Sequence, residues 1–223
     1  GDAVALPAVI EATQSQDESV RVAALKTVGQ IGNASSVPLL AQRAAATRGE
    51  EQKAARESLY RLRGPEVDAA ILQSLPSAAA DVKVELISAV GERNIGGSIE
   101  SLLKAARDED RKVRVESLKV LRVVGKPEDM PALVNLAIGV KSDSDRTEVE
   151  KTLAAVAHKI EDKTRQAAAV LAVLPNVKDN PDRASLLRTL GRIGDSSSLP
   201  TLRTALTARE ADIQDAAIRA LSD

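Results

Sequence analysis

One interval recurs along this chain: a leucine, a glycine seven residues later and a proline six residues after that. It occurs at Leu25, Gly32 and Pro38, again at Leu118, Gly125 and Pro131, and again at Leu187, Gly194 and Pro200. In the first copy, Asp17 to Pro38, the apolar residues Val20, Ala24, Leu25, Val28 and Ile31 recur at helical spacing. Gly29 and Gly32 sit where that stripe ends, and Pro38 falls in a following first turn. Glycine can take left-handed backbone after a helix, and proline cannot continue one. The interval therefore encodes a helix, a stop and the start of the next helix.

Extending the register from Leu25 places equivalent positions at Leu59, Ile87, Leu118, Leu153, Leu187 and Ile218, in steps of 34, 28, 31, 35, 34 and 31 residues. Such a period suits two helices and two turns, which predicts an all-α chain of seven helix pairs. First helices are expected to begin near Ala3, Ser35, Pro65, Gly97, Glu128, Asp162 and Ser196, and second helices near Asp17, Glu50, Ala79, Asp110, Asp145, Pro181 and Glu210. Ser15 with Glu18, Thr47 with Glu50, Asp145 with Glu148 and Thr207 with Glu210 have capping-box spacing. The expected continuous core contains Val20, Leu25, Val28, Ile87, Leu118, Leu187 and Ile218.

Composition agrees with helix packing. Hydrophobic residues make up 43% of the chain, yet there is no Phe, no Trp and one Tyr, so Ala, Leu, Val and Ile must build the core. No run of β-branched and aromatic residues alternates as a half-buried strand would. Thirty-one basic residues face thirty-two acidic ones, which gives no overall electrostatic drive toward nucleic acid or an anionic membrane. The longest apolar run, Ala167 to Leu174, is far short of the ~20 residues of a membrane span. The absence of cysteine removes disulfides and thiolate chemistry and leaves the compartment open.

The pattern Asp-x-x-Val-Arg, then Ala-Leu, Gly-x-Ile-Gly and Leu-Pro resembles the HEAT-repeat family, in particular the short bacterial HEAT-like repeats related to those of phycobilin lyases. The match is close at Val20-Arg21, Val113-Arg114 and Asp182-Arg183; Ala54-Ala55 and Glu148-Val149 replace the central pair in the second and fifth units, which spacing assigns. The resemblance implies a single repeat domain over residues 1–223, folded as a right-handed α-solenoid of HEAT/armadillo type. Its second helices would line a concave face that holds other proteins. GDAVALP, Gly1 to Pro7, parallels GDSSSLP, Gly194 to Pro200, and the chain ends at Asp223 near the place of a closing glycine. Neither end reads as a polar capping unit, so the expectation is a piece of a longer protein linked to further repeats or domains.

Asp17, Asp110 and Asp179 each precede an arginine, Arg21, Arg114 and Arg183, by four residues, a spacing that predicts structural ion pairs along each helix. The acidic groups at Asp108–Asp110 and at Asp143, Asp145 and Glu148 lack the glycine and glutamate of a calcium loop and read as helix capping. His158 stands alone near a helix end, so neither a two-histidine metal site nor a Ser-His-Asp arrangement is expected. No catalytic residue, metal or cofactor is assigned.

Six residues beyond the start of each second-helix stripe, side chains point away from the packed face. That row holds Lys26, Tyr60, Ser88, Lys119, Ala154, Arg188 and Arg219, with Glu57, Glu85 and Glu116 neutralising part of its middle. It is expected to hold an acidic, extended segment of a protein partner, with Arg188, Arg192 and Arg219 as the most basic end. The leading reading is therefore a non-catalytic interaction scaffold, beside which stand a subunit of a lyase-like enzyme and a nucleic-acid-binding module; the scarcity of stacking aromatics weighs against the last.

Overall fold

The computed structural model describes residues 2–222, so the parallels at Gly1 and Asp223 lie outside it. Among the described residues there are fourteen α-helices and no strand. They form the expected seven pairs: α1 (Asp2–Ala12) with α2 (Glu18–Ile31), α3 (Val37–Ala46) with α4 (Gly49–Arg61), α5 (Val67–Ser74) with α6 (Ala80–Glu92), α7 (Ile99–Ala105) with α8 (Arg111–Val124), α9 (Met130–Ala137) with α10 (Asp143–Ala157), α11 (Ala168–Val173) with α12 (Asn180–Ile193), and α13 (Leu199–Ala205) with α14 (Ala211–Ser222). None of them is long and apolar enough to cross a membrane.

The leucine–glycine–proline interval has one structural meaning at all three places. The N–H of Gly32, Gly125 and Gly194 donates to the carbonyl four residues back, on Val28, Leu121 and Leu190, at 2.7, 2.9 and 3.1 Å. A short 3-10 turn follows, at Ala34–Ser36, Pro127–Asp129 and Ser196–Ser198, and the proline then sits in the first turn of α3, α9 or α13. Proline costs nothing there, because a first-turn N–H has no intrahelical acceptor. Gly29 departs from expectation: it lies inside α2 and is buried, a packing position rather than a stop.

The four capping boxes do not form. Ser15 Oγ accepts from Asp17 N, Thr47 and Thr207 turn their hydroxyls back onto Arg43 O and Thr204 O, and Asp145 lies inside α10. Aspartate and asparagine caps do that work: Asp17 accepts from Ser19 N at 2.7 Å, Asn33 from Ser35 N at 2.9 Å, Asp179 from Asp182 N at 3.1 Å and Asp195 from Ser197 N at 2.8 Å. A short side chain two or three residues ahead of a free N–H reaches it without straining the backbone, which is why these types dominate helix starts.

The chain divides into two compact units, Gly1–Val120 and Leu121–Asp223. In the first, α2 packs on α4 and α4 on α6, with the first helices behind them. Leu25, Val28, Leu40, Leu59, Ile71 and Ile87 are fully buried, and Leu118 is 1% exposed. In the second, α10 packs on α12 and α12 on α14, over a core containing Leu133, Leu153, Val170, Leu187, Leu190 and Ile213. Burying each such side chain stabilises the fold by about 1.5–3 kcal/mol.

Two expected core residues are not in the core. Val20 is 42% exposed, because the buried stripe of α2 begins one turn later at Ala24. Ile218 is 53% exposed. It lies on α14, the last described helix.

Candidate partner-binding face of the second helices

The charged groups on the second helices are ordered by the repeat itself. Arg21 of α2 does not pair with Asp17, whose carboxylate caps the helix and is held below the usual range by the Ser19 hydroxyl and N–H. Its Nε reaches Glu51 of α4 at 2.8 Å and its Nη1 donates to Ser15 O and Gln16 O. Arg114 likewise donates to Asp108 O and Glu109 O, while Asp110 accepts from Lys112 N. Asp179 caps α12 and forms no ion pair with Arg183. At Asp17 and Arg21 the aspartate–arginine spacing thus corresponds to two separate devices, a cap and a staple that ties the preceding loop.

The ion pairs that matter run between successive pairs of helices. Glu51, with a side chain 6% exposed, takes Arg21 and, at 3.6 Å, Arg43. Glu85, 5% exposed, accepts a two-point contact from Arg56 at 2.6 and 2.7 Å, which raises the pKa of that guanidinium. Glu150, 2% exposed, accepts from Ser185 Oγ at 2.9 Å and pairs with Arg188 at 2.8 Å and Arg192 at 3.4 Å. Lys83 meets Asp108 at 2.7 Å; burial pushes the Asp108 carboxyl up, but Lys83 and the Asp110 N–H more than offset it and leave it low. Glu148 follows the same balance, lowered by Lys151 and Arg122 against the effect of burial. Sequence reasoning missed Glu51 and Glu150, and read Glu85 as part of the outward row rather than as a buried acceptor. The signal available was opposite charges about one repeat apart, 30 residues for Arg21 and Glu51 and 29 for Arg56 and Glu85.

The expected basic row is accordingly uneven. Lys119 is exposed but neutralised by Glu116 at 3.3 Å, which also takes Ser88 Oγ. Arg219 pairs with Asp215 at 3.4 Å. Arg188 and Arg192, expected as the most basic end, are drawn onto Glu150. Ala154, expected to face outward, is 7% exposed. Tyr60 is half-buried, and burial, reinforced by nearby Glu85, pushes its phenol up to about 12. Lys26 is exposed and makes no ion pair among the described residues.

Among the grooves that open on this face, two are lined by residues of the expected basic row, each within one unit. One, of about 690 Å³, lies between α2 and α4: Gly29 and Ser58 form its floor, and Lys26, Gln30, Glu57, Arg61 and Arg63 its rim. The other, of about 570 Å³, lies among α10, α12 and α14, where Arg146, Arg188, Arg192 and Arg219 face Asp143, Glu150, Asp212 and Asp215. His158 closes α10 and places Nε2 3.0 Å from Ile193 O, at the carbonyl end of the next second helix, α12, rather than acting only on its own helix end. Arg93 does the same for α4, donating to Tyr60 O and Leu62 O at 2.8 Å.

Paired helices whose second members stand side by side, joined by glycine and proline turns, define an α-helical repeat protein of the HEAT and armadillo class. Residues 1–60 match the family pattern of HEAT repeats, and residues 182–208 match that of PBS lyase HEAT-like repeats. These two matches support a HEAT-repeat family for the chain. No curated protein matches it. Among solved structures, a chain of the Kap95p–RanGDP structure shares the fold, with a TM-score of 0.54 at 14% identity over 98% of this chain and 34% of that one. Human deoxyhypusine hydroxylase gives 0.42 at 19% identity over 98% and 83%, and the designed armadillo repeat protein YIII(Dq)4CqI gives 0.39 at 13% over 97% and 98%. A fold of this class supports a protein-interaction role.

Proposed function

We propose that the chain is a non-catalytic module that holds a protein partner along the face lined by its second helices, including Lys26, Tyr60, Lys119, Arg188, Arg192 and Arg219. The observation that carries this reading is the pair of polar grooves on that face, each walled by successive second helices. Rows of repeats present extended surfaces of this kind, and such surfaces are what solenoids use for binding. The non-catalytic reading draws support from how the reactive side chains are employed. Glu51, Glu85 and Glu150 are held in ion pairs, and His158 is committed to a backbone carbonyl.

Site-directed photo-cross-linking tests the face. Cross-linkers at Lys26, Lys119 and Arg219 are expected to trap one and the same protein from a native extract, whereas cross-linkers at Gln42, Gln73 and Arg203 on the first helices trap it weakly or not at all. Equal trapping from both sets of positions would overturn the assignment of the face.

A further inference from the structure

We propose that the groove between α2 and α4 binds an acidic, extended peptide segment, with Lys26, Arg61 and Arg63 receiving its carboxylates. The inference rests on the second-helix face being the docking face, and it moves the acidic-segment site away from Arg188, Arg192 and Arg219.

Charge bookkeeping on the face separates this groove from the other. In the α10–α12–α14 groove four arginines meet four carboxylates, and Glu150 is buried beneath Arg188 and Arg192. Each of those arginines already has an ion-pair partner, so an incoming carboxylate would have to compete with an internal one. Around the α2–α4 groove, Lys26, Arg61 and Arg63 face the single carboxylate of Glu57, and none of the three forms an ion pair among the described residues. All three are exposed, so they rest in water with no internal partner to give up.

Local structure explains why they are free. Arg61 closes the last turn of α4, where a basic side chain ordinarily caps the terminal carbonyls. Arg93, the residue that closes α6, already occupies that place on Tyr60 O and Leu62 O. Leu62 then turns to φ −48°, ψ 135°, and Gly64 takes φ +128°, so Arg63 leaves the helix at the rim of the groove. The floor is low because Gly29 carries no side chain and Ser58 a short one.

The remaining polar groups fit a peptide better than a nucleic acid. Gln30 can both donate to and accept from a peptide backbone, and Glu57 can accept a backbone N–H but would repel a phosphate run. No aromatic side chain lines the groove for bases to stack on. Three cations around a groove of this volume suit a short stretch of Asp or Glu side chains.

Fluorescence anisotropy with a labelled short polyglutamate peptide tests the site on the whole chain, with a polyglutamine peptide and an oligothymidylate as competing probes. Saturable, salt-sensitive binding of polyglutamate is expected, weakened roughly ten-fold or more by Lys26→Glu/Arg61→Glu/Arg63→Glu and less by the corresponding glutamine triple variant. Arg203→Glu, on the exposed side of the first helix α13, should leave it unchanged. Both triple variants alter exposed residues, and circular dichroism checks that they remain helical. Undiminished binding by a folded triple variant, no polyglutamate binding at all, or tighter binding of oligothymidylate would each overturn the proposal. Loss of the peptide site with second-helix cross-linking intact would remove this inference alone; peptide binding with cross-links mapping to the first helices would remove the docking face instead.

Discussion

Gly29 of α2 lies so close to Ser58 of α4 that a Cβ on Gly29 would stand 2.7 Å from both Cβ and Oγ of Ser58 and 2.8 Å from its Cα. Gly191 of α12 stands in the same relation to Ala220 of α14, with 2.5 Å to its Cα. Both glycines fall four residues after the leucine that anchors their helix, Leu25 and Leu187. Successive second helices therefore touch at a glycine, and the backbone of the neighbouring helix leaves the contact no room to relax.

Gly29→Ala is accordingly expected to destabilise the first unit by about 1–3 kcal/mol, the usual cost of overpacking a close contact. A helix propensity scale alone predicts the opposite sign, since alanine is the better helix former. Denaturant unfolding of the variant decides between them: a midpoint raised relative to the parent would show that the helices can part cheaply.

Glu150 and Asp215 separate buried from exposed ion pairs. Glu150→Ala removes the acceptor shared by Ser185, Arg188 and Arg192, and is expected to cost roughly 1–3 kcal/mol, because hydrogen bonds to a buried charge are the strong ones. Asp215→Ala breaks a pair whose side chains are about seventy per cent exposed, at 69% and 72%, and is expected to cost less than about 0.5 kcal/mol. Equal losses from the two substitutions would contradict the pairing described for α10 and α12.

The same helices show what was legible in the sequence. Leu25, Gly32 and Pro38 gave the pairing of helices, because hydrophobic spacing and backbone stops act locally. Val20 and Ile218 misled, since both match the helical period but their burial depends on what another helix covers. Arg21 and Glu51, or Glu150 and Arg188, could not be matched by short spacing because their partners lie about one repeat away. The basic row was readable as a pattern, but the free charge on it was not, since internal carboxylates cancel one end and spare Lys26, Arg61 and Arg63. Leu25→Ala is expected to cost about 2–5 kcal/mol and Val20→Ala under about 1 kcal/mol, a difference that thermal melts of the two variants would show.

Asp195 links the α13 turn to α11 and gives the second unit an acid-sensitive joint. Burial pushes its carboxyl up, but the N–H groups of Ala167 and Ser197, at 2.9 and 2.8 Å, outweigh that and hold it below the ordinary value. A carboxyl whose pKa falls on folding contributes stability that is complete above the unfolded value, about 3.9, and is lost as pH drops through the folded value. Asp195→Asn should lower the melting temperature at neutral pH and flatten the further decline below pH ~4. An unchanged acid limb would mean that Asp195 does not titrate against folding.

Tyr60 supplies the opposite test at alkaline pH, and it can be read without interference because it is the chain's one tyrosine and there is no tryptophan. Burial first, and then the negative charge of Glu85, push its phenol up to about 12. The neutral phenol is thus favoured by folding: its contribution is fully present below the unfolded value, about 10, and is lost as pH rises through 12. Ultraviolet titration of the folded chain should show phenolate appearing near the upper value, and the same titration in denaturant should show it near the lower one. Glu85→Gln should lower the folded midpoint while leaving the denatured one in place. Coincident folded and denatured curves would place Tyr60 in water and contradict its half-buried position beside Glu85.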